Sequence, residues 1–361
     1  MSIFEPPPGG MDPGSDPERV ENAIELKEVE GLSQGQIVRK RFFRHWGAIG
    51  GLTGLVLLML LAYSSIGFGP LPGWWKYDHF TPNDITIPGG KPTLSMPSWL
   101  GGSGFAIGEH PFGQDDVGRD IFAATMKGAQ TSLNVMFIIG ILSTIVGLAL
   151  GAVAGFFRGA IDSWIMRFTD LVITLPVLVV GSVLGKLVET SGAFWLAVAL
   201  GLISWTTLAR LIRAEFLTLR EREFVDAARV AGASNFRIMF KHMIPNAMGV
   251  IIVNTTLLMS AAILLEAALS FLGFGVQSPD VSLGTLISRY QNAFSTRPWL
   301  FWWPGLFIII IALSINFIGD GLRDAFDPRQ KSVTSARKLA KAEALMRTQN
   351  QEKFDQAGGG N

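Results

Sequence analysis

Six long apolar runs constrain this chain more than any other feature of its sequence. They fall at about 47–68, 133–156, 165–184, 193–211, 247–272 and 302–318. Each is close to the roughly 17–25 apolar residues that a bilayer-crossing helix requires. The composition agrees, with 49% hydrophobic residues and only 16% charged ones, too apolar for an ordinary soluble domain. The expected fold class is an all-α membrane protein with six transmembrane helices. The first run follows a tail of about forty residues, so it reads as a retained span rather than a cleaved signal peptide.

Charge sets the expected orientation. Arg39, Lys40, Arg41 and Arg44 precede the first run, and Lys and Arg also concentrate at 158–167, at 210–241 and in the C-terminal tail. The alternate loops, around Lys186 and at 289–297, carry few. That bias places both termini in the cytoplasm. Trp74, Trp75, Trp99, Trp299, Trp302 and Trp303 then fall near the outer interface, where amphipathic rings collect. A net charge of +1 leaves no electrostatic footprint for nucleic acid, and the absence of cysteine excludes disulfides and thiolate sites.

The expected organisation has three parts. Residues 1–38 form a cytoplasmic tail, largely disordered, with an acidic helix at 21–30 as one reading of its end. Residues 39–329 form the transmembrane domain, and 330–361 a second cytoplasmic tail with a basic helix at 335–347. The external segment of the domain, about 69–131, is rich in Pro and Gly, so irregular structure or short strands are expected there. It shields the channel mouth or offers a docking surface.

One charged stretch separates the fourth and fifth apolar runs. Phe224, Ala228 and Ala231 fall at i, i+4 and i+7, which gives a short helix one apolar face. Asp226 and Arg229 lie off that stripe, three residues apart, and can pair on the helix surface. Gly232 suits the left-handed residue that ends a helix, and Ser234 suits the cap of a second one running toward Pro245. The product is a small-sided, charged helix–glycine–helix elbow at the membrane surface, within a cytoplasmic loop of about 212–245.

The residues of this elbow resemble the signature loop of ATP-binding-cassette (ABC) importer permeases, in which Asp226, Ala227 and Ala228 stand for Glu-Ala-Ala, with Gly232 and Pro245 in place. Ala227-Ala228-Arg229, Gly232-Ala233-Ser234 and His242 through Asn246 are similar to the dipeptide/oligopeptide branch. Further matching strings occur at 110–120, 166–170 with Pro176, 266–276 and 319–329. The chain is thereby identified as similar to the second permease subunit of that branch over about 39–329. The resemblance implies a type I importer permease fold, a homologous permease partner, two cytoplasmic ATP-binding subunits, an extracytoplasmic substrate-binding protein and a peptide substrate, in a bacterial inner membrane. It implies no cofactor in this chain, with ATP and Mg²⁺ held by the partner subunits. It also implies that Glu223, Asp226, Ala227, Ala228, Arg229, Gly232, Ser234 and Pro245 couple the chain to an ATPase. The small residues would allow close approach and the Asp226–Arg229 pair would fix orientation. Asp226 is one methylene shorter than the usual glutamate, which shifts any contact its carboxylate makes.

No Gly-x-x-x-x-Gly-Lys-Ser/Thr string occurs, so the chain has no P-loop of its own, and Gly-x-Ser-x-Gly and His-Glu-x-x-His are missing as well. His110, Asp115 and Asp116 lack ligand spacing and a second histidine; capping and salt bridging are expected of them. Glu266 sits inside the fifth run, where a lone acid is costly and is usually partnered or functional. It either faces the pathway as a gate or bonds between helices. The second reading is preferred, because a carrier of varied peptides should avoid one strong anchor. Asp170 is expected to pair locally with Arg167, Pro176 to kink the third helix, and Gly147, Gly151 and Gly155 to allow close helix packing. Importers of glutathione or nickel complexes share these motifs. A secondary transporter driven by ion gradients is the distant alternative, and would show several intramembrane acids. A third is a non-transport assembly or anchoring subunit, on which the elbow would be a passive dock.

Overall fold

The computed structural model describes residues 34–95, 99 and 104–326. The acidic helix at 21–30, the basic helix at 335–347 and both distal tails lie outside the described residues. Residues 42–323 form one compact unit, and the described residues outside it, 34–41 and 324–326, belong to a second.

A basic helix α1 (Gln34–Phe42) comes first, inside the stretch expected to be tail as far as 38. Then α2 (Trp46–Ile66) begins under a cap from His45, whose Nδ1 accepts from the Ala48 amide at 3.1 Å. Five helices among the described residues are long and apolar enough to span a membrane: α2, α3 (Ile121–Phe157), Ala193–Arg220, Asn235–Phe271 and α11 (Trp299–Phe326). The remaining span is broken. Its halves, α4 (Gly159–Thr174) and α5 (Val177–Leu187), meet at 85° around Pro176. Proline removes a backbone donor and clashes with the preceding turn, so the kink expected there is a full break. Counting that pair as one, the spans number six.

Helix α3 starts at Ile121, inside the stretch expected to be external loop as far as 131. Its 37 residues reach roughly 55 Å at 1.5 Å per residue, well beyond a bilayer core of about 30 Å. The extra turns are enclosed by protein instead, with Ile121 to Met126 all buried. Asp120 caps them, its carboxylate accepting from the amides of Phe122 and Ala123. The same carboxylate accepts from Trp75 Nε1 at 2.5 Å and faces His110 Nδ1 at 3.3 Å. Burial pushes the Asp120 carboxyl above the ordinary carboxylate range, against those hydrogen bonds.

Among the described residues between α2 and α3, β1 (Gly67–Phe68) pairs with β2 (Leu71–Pro72), and isolated bridges join Ser95 to Ala106 and Gln114 to Asp120. Polar groups fix this insertion. Asp115 accepts from the amides of Val117 and Arg119 and from the Tyr290 hydroxyl, the last at 3.1 Å. Phe112 stacks on Trp303 at 3.9 Å, which ties the insertion to α11.

Helix α3 is the central post. Along it the Gly147, Gly151 and Gly155 faces lie against α7 (Thr206–Arg220), as their spacing predicts. A Cβ on Gly151 would stand 2.5 Å from the Ala209 carbonyl oxygen, and one on Gly155 2.6 Å from Phe216 Cβ. A short α6 (Ala193–Gly201) precedes α7, and a turn at 202–205 separates them. Helix α7 runs on to Arg220, past the expected end at 211, so the expected loop at 212–245 begins as helix. Ion pairs to α4 accompany this extension.

Candidate functional site

The elbow is built from α8 (Glu223–Val230) and the chain that follows it. Glu223 and Asp226 occupy its first turn and Arg229 its last, each on the favourable end of the helix dipole. Arg229 Nη1 donates to Asp226 Oδ1 at 2.9 Å, the pairing that the spacing predicts. Val225 is fully buried, and Phe224 and Ala228 pack partly against the same cluster of Leu219, Ile238, Met239 and Met243. Ala231, expected on that apolar face, is exposed. The stripe is centred one residue off the expected one, because the helix ends before Ala231 can extend it.

The turn has a defined chemistry. Gly232 has φ 78°, its amide donates to the Arg229 carbonyl at 2.9 Å, and the Ala233 amide donates to the Ala228 carbonyl at 3.0 Å. These two bonds form a Schellman motif with glycine at its left-handed position. Ser234 then accepts from the Arg237 amide at 3.4 Å. The second arm is not a separate helix ending at Pro245. A turn at Asn235–Arg237 widens into a π-helical stretch, Ile238–Met243, and runs directly into α9 (Ile244–Phe271). Pro245 lies just past the π-helical stretch, at the start of α9.

Glu223, Asp226, Ala227, Arg229, Gly232, Ser234 and Pro245 are all exposed or half-exposed, and Ala228 is half-buried. No atom lies within 4 Å of a Cβ built on Gly232. The same surface carries apolar residues that sequence reasoning misses: Val230 is 90% exposed, Phe236 68% and Phe240 63%. The two rings stack at 6.4 Å. Their i, i+4 spacing in an otherwise charged stretch is the available signal. Exposed clustered apolar side chains of this kind mark contact surfaces.

A cavity of about 760 Å³ opens at the α4–α5 break. Its lining includes Val172, Leu175, Pro176 and Val180 beside the break, Leu258, Ala262 and Leu265 of α9, and the polar side chains of Ser204, Thr206, Thr207 and Asn254. Glu266 does not line it. That side chain is fully buried, with Oε2 accepting from Ser132 Oγ of α3 at 2.8 Å and Oε1 from Ser270 Oγ at 2.6 Å. The Leu283 amide, at the start of α10 (Leu283–Tyr290), donates to the same Ser132 hydroxyl at 3.2 Å. Glu266 therefore joins α3, α9 and α10. Glu266→Ala leaves two buried hydroxyls short of an acceptor, at about 1–3 kcal/mol each. The purified protein should melt several degrees lower, while Glu266→Gln should recover most of the loss.

The sequence profile of the family described as "Binding-protein-dependent transport system inner membrane component" matches residues 147–332. A Brucella ovis protein described as a peptide permease is 41% identical over 301 residues, 82% of this chain and 92% of that protein. The oligopeptide transport system permease protein OppC of Mycobacterium tuberculosis is 33% identical over 84% of this chain and 98% of that protein. Its Bacillus subtilis namesake is 36% identical over 77% and 85%. Among solved structures, an inward-facing MetNI methionine ABC transporter aligns with 56% of this chain and 97% of its own at TM-score 0.48 and 16% identity.

Proposed function

The chain belongs to the binding-protein-dependent transport system inner membrane component family, and from that we infer that it is the permease subunit of an ABC importer whose cargo is di- or oligopeptide. The peptide names of its relatives support that cargo over glutathione or a nickel complex. It is a multi-pass inner-membrane protein with a type I importer fold and both termini cytoplasmic, the side that its Lys and Arg favour. It forms half of the pathway beside a homologous permease. Two cytoplasmic subunits bind ATP and Mg²⁺ and hydrolyse the ATP, and an external binding protein delivers peptide to the insertion at 69–120.

The observation that carries the mechanism is the elbow: a tightly closed Gly232 turn whose small and apolar residues stand uncovered on a chain with no P-loop. The elbow seats in a groove of one ATPase, with Ala227 and Gly232 at the closest approach, Val230, Phe236 and Phe240 supplying apolar area, and Asp226–Arg229 setting orientation. Closure of the ATPases displaces it, and the spans attached to it open the cavity alternately to either side. Reconstituted with its partners, the chain should support peptide uptake that needs ATP and survives a proton ionophore. Uptake abolished by the ionophore while ATP persists would replace this reading with a secondary transporter.

A further inference from the structure

Helix α4 is held in an unusual way. Thr169 is its one buried residue, whereas α7 buries Thr206, Leu208, Ala209, Ile212, Phe216 and Leu219. Apolar packing holds α4 at few points, chiefly Phe168 stacked on Trp205 just ahead of α7 at 6.1 Å. Charge supplies the rest. Arg213 of α7 grips Asp162 bidentately, Nε to Oδ1 at 2.5 Å and Nη2 to Oδ2 at 2.6 Å. Arg210, three residues earlier on the same face of α7, pairs with Asp170. Arg158, at the start of α4, reaches Glu221 just past the end of α7 at 2.5 Å. The pairs run antiparallel along the two helices. Bidentate guanidinium–carboxylate pairing fixes orientation as well as distance.

The two ends of this arrangement are functional ones. Helix α7 passes through Arg222 straight into the elbow. The far end of α4 is the 85° break, whose Val172, Ile173, Leu175 and Pro176 form a wall of the cavity. We propose that Arg210 and Arg213, with Asp170 and Asp162, are positioning residues that make α4 and α7 one moving piece. A displacement of the elbow then reaches the cavity wall, and the chain bends at Pro176. This rests on the transport reading above. The ion pairs act as a clutch: α4 follows α7 because it is charge-gripped, and it flexes against α5 at the Pro176 break.

The test uses the complete importer in proteoliposomes and reads peptide taken up per ATP hydrolysed. Arg213→Asp should lower that ratio at least fivefold, and adding Asp162→Arg should bring it back within twofold of the native value. A purely structural role would reduce the amount of folded complex and leave the ratio unchanged, which would overturn the proposal. Should the reversed variant fail to assemble, Asp162→Cys with Arg213→Cys gives a second test, since the chain has no native cysteine. With partner cysteines removed, a short bismaleimide bridge between the two positions should preserve at least half of the uptake. A tenfold loss on bridging would show that the helices must part, and would also overturn it. Native complex that fails to import at all would instead refute the transport reading.

Discussion

Gly232→Val should cut peptide uptake to less than a tenth while leaving the permease in the membrane and the ATPases active. The backbone there has φ 78°, where an L-residue costs about 1–2 kcal/mol and a β-branched one more. Nothing in the chain lies within 4 Å of the new Cβ, so the spans themselves have no reason to unfold. The damage falls on the bend and on whatever must approach it. ATP hydrolysis should persist at its basal rate and lose its stimulation by loaded binding protein. Gly232→Asn separates the two causes, because asparagine tolerates the left-handed conformation. Restored uptake in that variant would assign the glycine to the turn alone. Continued failure would assign it to close approach by a partner.

The second large effect is expected at Gly151→Leu. A Cβ at this position meets the Ala209 carbonyl oxygen at 2.5 Å and Ile212 Cβ at 2.9 Å, and neither atom can swing away. Overpacking a core ordinarily costs about 1–3 kcal/mol. Here the obstruction is largely backbone, so the cost should reach about 3 kcal/mol or more, as α3 and α7 are forced apart. The yield of monodisperse complex in mild detergent should collapse. Gly50→Leu is the matched control, because no atom lies within 4 Å of a Cβ there and yield should hold.

The spans are legible in the sequence because a run of about twenty apolar residues has few stable places outside a bilayer. The elbow is legible because Asp226, Gly232 and Ser234 each have strong local preferences, and the glycine ridge at 147, 151 and 155 is equally plain. What escapes sequence reasoning depends on distant partners. Asp170 has Arg167 three residues away, but its partner is Arg210, forty positions on and reachable only once α4 folds back along α7. The first turns of α3 read as loop because Lys127, Gln130 and Thr131 dilute their hydropathy, and protein rather than lipid encloses them. The end of α7 is hidden for a similar reason: Arg210 and Arg213 are offset by acids from α4. Val230 gives no sign of its exposure, because an apolar residue in a short helix is expected to face inward, and the i, i+4 spacing of Phe236 and Phe240 is the one hint of theirs.

The most direct test of the elbow as the seat of an ATPase is a photoreactive amino acid placed at Val230, the most exposed apolar residue of the elbow, in the assembled importer in intact cells. Irradiation should join this chain to the ATP-binding subunit, and the yield should change when ATP is trapped. A product with the external binding protein, or with lipid alone, would contradict the account.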